Sequence, residues 1–345
     1  MSVFGVLTGG GDCPGLNAAI RAIVRGAIAD GHKVVGMRQG WRGLAEPEAM
    51  PLDRRAVAGI LPRGGTILGS SGWNPFREEG GIEALLSTTR TLGIDGVVAI
   101  GGEGTLGIAH KLHSELGYPV VGVPKTIDND LAGTDVTIGF DTAVHVCTEA
   151  LDRLHTTAES HNRVMVVEVM GRNTGWIAAA SGISGGADVI LVPEVPTPIE
   201  DVCDHIRQRH DGGKDFSIVV VAEGYPLTRR SGAQDAPTVQ DVDQYGYARL
   251  GGIGQVVGDE ITAETGYETR VTVLGHVQRG GTPTARDRFV ATRLGLKAAE
   301  LASAGTWGRM AAVRGNEFVD VALAEATSAR RTVPPEWIAA SGVLA

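Results

Sequence analysis

Short runs rich in valine and isoleucine recur along this chain, and the most prominent of them end in glycine clusters. VFGVLTGGGD occupies residues 3–12, GVVAIGGEGT residues 96–105 and VTVLGHVQRGG residues 271–281. A run that is apolar at nearly every position suits a strand buried on both faces of a parallel sheet. A glycine-lined strand end is where α/β proteins bring backbone close to a ligand. Glycine supplies 50 of the 345 residues, about twice the usual ~7%. These glycines have no period, so collagen and linker readings fail.

Strand-like runs fall at residues 3–7, 33–37, 96–100, 120–123, 163–169, 189–192, 216–222, 269–274 and 310–313. Helical stretches fall at 17–30, 105–116, 141–161, 199–210 and 284–304. In the stretch from Asp141, apolar residues recur at Ala143, Val146, Ala150 and Leu154, which marks one buried face. The alternation predicts doubly wound α/β architecture with ligands beyond the carboxyl ends of the strands. At roughly 150 residues per domain, the length predicts two domains or one large unit. The switch between halves is placed near residues 139–141 and the return near Gly251. A polar, turn-rich stretch at 225–252 reads as a surface loop.

Hydrophobic residues make up 43%, enough for a core, and no apolar run approaches the ~20 residues of a membrane span. The N-terminus enters a strand with no basic region or cleavage site, so secretion is not expected. Cys13, Cys147 and Cys203 are odd in number and far apart, which argues against a disulfide framework or zinc site and for a reducing cytoplasm. A net charge of −9 excludes nucleic acid on bulk electrostatics. An anionic substrate would then depend on local cations and backbone amides.

Five segments carry candidate chemistry, each at a strand end. Thr8-Gly9-Gly10-Gly11-Asp12-Cys13-Pro14-Gly15 can turn several N–H groups toward a phosphate, or simply make a tight turn; no Lys-Ser/Thr closes it as a Walker loop. Gly102, Gly104 and Gly107 satisfy G-x-G-x-x-G, but the next strand ends in Val123-Pro124-Lys125, not in the acid a dinucleotide site wants. Glu103 among these glycines suits Mg²⁺ beside phosphates. In Pro124-Lys125-Thr126-Ile127-Asp128-Asn129-Asp130 the two carboxylates would diverge on a helix but can converge in a loop. One could then take a proton from a substrate hydroxyl, and an Asx-turn is the plainer alternative. Met170-Gly171-Arg172 offers an arginine fork for phosphate, and Gly275-His276-Val277-Gln278-Arg279 offers a His and an Arg for a sugar phosphate. A surface salt bridge is the commoner fate of any single arginine.

GGGDCPGLNAAIRA, GGEGT, PKTIDNDLAGTD, MGR, AEG at 222–224 and LGHVQRGGTP occur in one order along nearly the whole chain. In that set the chain resembles the 6-phosphofructokinases, in particular the mixed branch whose donors are ATP or pyrophosphate. The resemblance implies two doubly wound Rossmann-like domains with mainly parallel sheets and an active site in the cleft between them. Residues 1–140 with 252–305 would bind the donor, and 141–251 with 306–345 would bind fructose 6-phosphate. Gly10, Gly11, Gly72, Trp73, Gly102, Glu103, Gly104 and Thr105 would surround ATP, with Glu103 serving Mg²⁺. Asp128 would be the general base on the 1-hydroxyl, with Thr126 and Asp130 beside it and Arg172 on the moving phosphoryl group. Ile127, Met170, Gly171, Glu223, His276, Val277, Gln278 and Arg279 would complete the sugar site. Arg163 and Arg270 would reach into a neighbouring subunit, so a homodimer or homotetramer is implied.

Gly104 leaves room for a nucleotide where pyrophosphate-using relatives usually carry Asp, and Lys125 is typical of pyrophosphate users. ATP is the expected donor and pyrophosphate the alternative, because a clash excludes while an added cation only helps. Gly72 stands where the family often has an arginine, which leaves a non-catalytic sugar-phosphate binder as a further reading. GGEGT is also close to the GGDGT loop of NAD and lipid kinases, which do not explain His276 and Arg279. Arg21 and Arg25 match an effector-binding pair, or form the polar face of the helix at 17–30.

Overall fold

The apolar runs are strands in the computed structural model, which describes residues 1–234, 239–242 and 248–344. The chain begins β1 (Val3–Thr8), α1 (Leu16–Ala29), β2 (Lys33–Met37), α2 (Arg42–Ala45), β3 (Ala49–Leu52), α3 (Gly81–Thr91), β4 (Gly96–Gly101), α4 (Glu103–Leu116) and β5 (Val120–Pro124). It continues through α5 (Phe140–His161), β6 (Val164–Val169), α6 (Trp176–Ser184), β7 (Val189–Leu191), α7 (Ile199–Asp211) and β8 (Ser217–Ala222). Then come β9 (Val239–Val242), β10 (Ala248–Leu250), α8 (Ile253–Thr265), β11 (Thr269–Val273) and a 3-10 turn at Gly275–Arg279. The last elements are α9 (Ala285–Ser303), β12 (Arg309–Arg314), β13 (Glu317–Ala322), α10 (Leu323–Ala326) and α11 (Pro335–Leu344).

Two units divide these elements: residues 1–142 with 279–331, and residues 143–278 with 332–345. Pairing explains where the chain returns. β11 pairs with β6, which keeps residues 252–278 in the second unit, whereas β12 pairs with β5, which keeps residues 306–331 in the first. The polar stretch at 225–252 carries an antiparallel pair, β9 with β10. Residues 235–238 and 243–247 of that expected loop lie outside the described residues.

The first unit holds a seven-stranded sheet in the order β13-β12-β5-β4-β1-β2-β3. Its five inner strands are parallel, and β3 and β13 close its edges antiparallel. β4 is buried along its whole length. Val97 and Ala99 pack into a cluster with Leu106 and Leu112 of α4, and Val98 and Ile100 are buried as well. That is the two-faced burial its unbroken apolar run predicts. The chain leaves β1 toward β2 on one side and leaves β4 toward β5 on the other. Crossovers therefore diverge between β1 and β4, and a crevice opens there at the carboxyl ends of the strands.

The second unit holds a four-stranded parallel sheet, β11-β6-β8-β7. Ile199, Val202, Cys203 and Ile206 of α7 pack with Val219 and Val221 of β8 and with Ile253, Val257 and Ile261 of α8. No helix among the described residues is long and apolar enough to cross a membrane.

Asp287 ties the first unit's two chain segments together. Thr284 caps α9 by accepting the Asp287 N–H. The Asp287 carboxylate accepts the N–H groups of Gly139 (2.9 Å) and Thr142 (2.8 Å) and the Thr142 hydroxyl. Burial pushes its carboxyl up to about 6. Asp287→Ala strands two buried N–H donors, and a loss of about 2–4 kcal/mol is expected by urea unfolding. The folded protein holds this proton longer than the unfolded chain does, whose carboxyl titrates near 4. Its contribution to stability therefore falls as pH rises from about 4 to about 6, and Asp287→Asn should flatten that slope.

Candidate active site

Three strand ends are stitched together in the first unit. The Gly9 N–H, just past β1, donates to Ile100 O of β4 (2.9 Å), and the Lys125 N–H, just past β5, donates to Gly101 O (3.0 Å). The Gly10 N–H donates to Ser71 O (3.1 Å) and the Ser70 hydroxyl donates to Gly10 O, which brings the segment of Gly72 and Trp73 to the glycine turn. Thr105 fills the space beside Gly9 and Gly101; a β-carbon at either would collide with its side chain. Glycine here is what allows two strand ends to close on one threonine.

The Lys125 ammonium lies beneath this turn. It donates to Gly9 O (2.9 Å) and to Gly11 O, and the residue is 3% exposed. Burial pulls it down to about 8, so it is charged at pH 7. The charges of Asp128, Asp12 and Arg279 all act on it. Arg279 lies against Gly11 and donates to Asp12 O (3.4 Å).

The carboxylates sit in the loop after β5. Thr126 Oγ1 accepts the Asp128 N–H (3.1 Å), Asn129 adopts φ 51°, and Asn129 Oδ1 accepts the Thr137 N–H (3.0 Å). The turn here is an ST-turn made by Thr126 rather than an Asx-turn, and it presents the carboxylates without excluding their chemistry. Asp128 is 8% exposed. Burial, followed by the negative charge of Asp128, pushes the Asp130 carboxyl upward against the pull of Arg330. Glu103 is exposed in the first turn of α4 and acts on the same Asp130. Gly104, next to it, is also exposed. The Ile127 side chain is fully buried, near the space that a side chain at Gly139 would fill. Its side chain packs inside the protein, so a sugar contact at Ile127 would fall to its backbone.

Among the described residues no group of three or more His, Cys, Asp or Glu is placed to hold a metal. Mg²⁺ is usually held by one or two carboxylates, substrate phosphates and several waters. One exposed carboxylate at Glu103, with the mutually repelling Asp128 and Asp130 nearby, fits that donor set.

In the second unit, the ends of β6, β8 and β11 carry the rest. The Arg172 N–H donates to Glu223 Oε1 (2.9 Å), joining the MGR turn to the end of β8, and Arg172 itself sits at φ 54°. Gln278 is fully buried: Oε1 accepts the Met170 N–H (3.1 Å) and the Cys147 thiol (3.1 Å), and Nε2 donates to Gly275 O (3.0 Å). Its amide thus braces two loops, while its neighbours His276 and Val277 are exposed.

Arg163 and Arg270 are placed elsewhere in this unit. Arg163 precedes β6, whereas Met170, Gly171 and Arg172 follow it. Six residues of strand separate those ends, about 20 Å. Both arginines pair with Glu268, Arg163 at 3.0 Å.

Three contributors escaped the motif reading. Glu168, on β6, accepts the N–H groups of Gly252 (3.0 Å) and Gly254 (2.7 Å) and so fixes the start of α8. Glu194 accepts the Gly175 N–H with both oxygens (3.0 Å each) at the start of α6. Arg330 lies 3.5 Å from Glu103 and 3.6 Å from Asp130. Glu168, as the one acid in an apolar strand, was the sole legible signal among them.

Glycine turns at a divergent strand pair, a carboxylate loop and nearby cations suit an α/β protein that handles phosphoryl groups. The Phosphofructokinase family model matches residues 3–302. Over 334 residues the chain is 56% identical to the pyrophosphate–fructose 6-phosphate 1-phosphotransferase of Amycolatopsis methanolica, covering 96% of each. It is 52% identical over 331 residues to ATP-dependent 6-phosphofructokinase 3 of Streptomyces coelicolor, again covering 96% of each. Among solved structures it superposes on Pichia pastoris phosphofructokinase in the T-state with a TM-score of 0.83 at 34% identity. That match takes in 95% of this chain but 35% of the yeast chain. The chain belongs to the phosphofructokinase family, and the enzyme is a phosphofructokinase.

The lowered Lys125 gives this site a pH signature. Charge beneath the glycine turn is lost as pH rises past about 8, so kcat/KM for the phosphoryl donor should fall there. Lys125→Met should lower kcat/KM at pH 7 and remove the inflection in a pH–rate profile.

Proposed function

We propose that this enzyme transfers the terminal phosphoryl group of ATP to the 1-hydroxyl of fructose 6-phosphate. The observation that carries this reading is the neighbourhood of Asp128. It sits nearly buried in a loop that Thr126 braces, and it acts electrostatically on the Lys125 ammonium under the glycine turn. A carboxylate so placed can accept the hydroxyl proton while backbone amides and cations hold the donor.

The first unit is assigned the donor, the base and Arg279, and the second the other sugar residues. Gly10, Gly11, Gly102, Gly104, Thr105, Gly72 and Trp73 line the donor. Met170, Gly171, Glu223, His276 and Arg279 hold the sugar phosphate, Arg172 meets the moving phosphoryl group, and Gln278 sets the loops. Bound Mg²⁺, held by Glu103, would offset negative charge on the donor phosphates. Arg163 and Arg270, at the far end of β6 and β11 from Met170, are assigned to a neighbouring copy of this chain. Two guanidiniums sharing the single carboxylate of Glu268 keep net positive charge for a phosphate dianion.

ATP is supported by Gly104, which is exposed and places no side chain over the start of α4. Lys125 engages the carbonyls of Gly9 and Gly11 and so suits either donor. Pyrophosphate is the second reading, favoured by the names of relatives at 56% and 53% identity. A donor comparison with fructose 6-phosphate and Mg²⁺ decides between them: sugar-dependent ADP formation is expected, and turnover with pyrophosphate alone hands the case to the second reading. Gly104→Asp should cut ATP turnover by more than ten-fold while sparing any pyrophosphate activity. Asp128→Asn should lower kcat by about 10²–10⁴ with sugar KM within a few-fold; turnover close to wild type would remove Asp128 from the role of base.

A further inference from the structure

The donor side of the first unit is rich in negative charge. Asp128 and Glu103 both act on Asp130 there, and a phosphoryl donor brings more. Lys125 is buried against two carbonyls. The segment that meets Gly10, Ser70-Ser71-Gly72, carries no charge. Arg279 lies against Gly11, and Arg330 adds a cation beside the carboxylates themselves.

Its backbone is held against the base loop. Residues 131 and 330 form an antiparallel bridge, and the Arg331 N–H donates to Asp130 O (2.8 Å). Arg331 Nη1 donates to Asn129 O (3.2 Å). The Arg330 side chain is 38% exposed, 3.5 Å from Glu103 Oε2 and 3.6 Å from Asp130 Oδ2. Both distances exceed an ordinary charge-assisted hydrogen bond of about 2.7–2.9 Å. The guanidinium is therefore anchored by its backbone yet loosely paired at its tip, and a pair this exposed contributes little to stability. A planar fork with five N–H donors suits a phosphoryl oxygen better than two distant carboxylates.

We propose that Arg330 is a catalytic residue that contacts the donor phosphates and stabilises the charge of the phosphoryl group in transfer. In that step the bond from phosphorus to the donor's bridging oxygen breaks and a bond to the sugar O1 forms. The O1 proton passes to Asp128, and the electron pair leaves with the donor; Arg330 changes contacts only. The inference rests on the phosphoryl-transfer reading, with either ATP or pyrophosphate as donor.

The test uses full-length Arg330→Ala and Arg330→Lys, with whichever donor wild type uses. Arg330→Ala should lose at least about 100-fold in kcat, keep its sugar KM and thermal midpoint, and regain part of its rate with added guanidinium chloride but not with sodium chloride. Arg330→Lys should fall between the two. Calorimetric binding of ATP and of pyrophosphate should weaken at least five-fold in Arg330→Ala for the donor that wild type binds. A kcat within three-fold of wild type overturns the proposal. So does a loss that guanidinium does not relieve, or unchanged donor binding. If wild type turns over neither donor, the function reading fails by itself, and the binding comparison alone still decides for or against Arg330.

Discussion

The Lys125 ammonium is a full positive charge with almost no water around it, and the first unit's glycine turn is built on it. Removing water from a lysine is costly, which is why its proton is held less tightly than usual. Carbonyl dipoles offset that cost here: Gly9 O and Gly11 O point at Nζ. The Cys13 thiol nearby is itself pushed up to about 12 by burial and stays neutral. With the carbonyls turned down toward the ammonium, the peptide planes of residues 9–11 are fixed. β1 and β5 are not neighbours, since β4 runs between them. One side chain thus spans a strand to set the geometry of a turn.

That arrangement bears on how a chain of net charge −9 handles polyanionic ligands. The field that matters is local. In the first unit, cations meet carboxylates at graded depth: Lys125 buried, Asp128 nearly so, Asp130 partly, Arg330 more exposed and Glu103 most. Lys125, the deepest, has fixed carbonyl partners, and Arg330 has long pairs to Glu103 and Asp130. Rigid inner charges preorganise backbone, and loose outer charges can trade partners when ligand arrives.

Much of the fold was legible because its strands are buried on both faces. Runs such as GVVAI at 96–100 have no polar positions to confuse the reading, and all nine expected strands exist within a residue or two at either end. The missed elements carried weaker signals. β3 is four residues with a proline, and β13 is an edge strand with charged positions. α6, WIAAASGIS, is apolar or small at every position and so shows no helical period. The return of the chain to the first unit was misread near Gly251 because the partner of β11 is a tertiary choice. Nothing in its sequence says that it pairs with β6.

The site divides along the same line. Glu103, Asp128 and Arg172 stand out in the sequence by type and by place after a strand, and the structure puts each of them just past a strand end. Gln278 was visible as a residue but not in its role, since its amide oxygen is taken by Met170 and Cys147, each more than a hundred residues away in the chain, while its NH2 donates to the nearby Gly275 O. Arg330 was not visible at all. It lies in a stretch with no glycine cluster and no strand end, and only the backbone pairing of residues 330 and 331 with the base loop brings it to the carboxylates. Motif reasoning finds groups that local backbone geometry presents; it misses those that long-range pairing delivers. A charge delivered that way comes from a segment free of the constraints that glycine turns place on their own residues, so electrostatics near the base can be adjusted there without disturbing the turn that Lys125 holds.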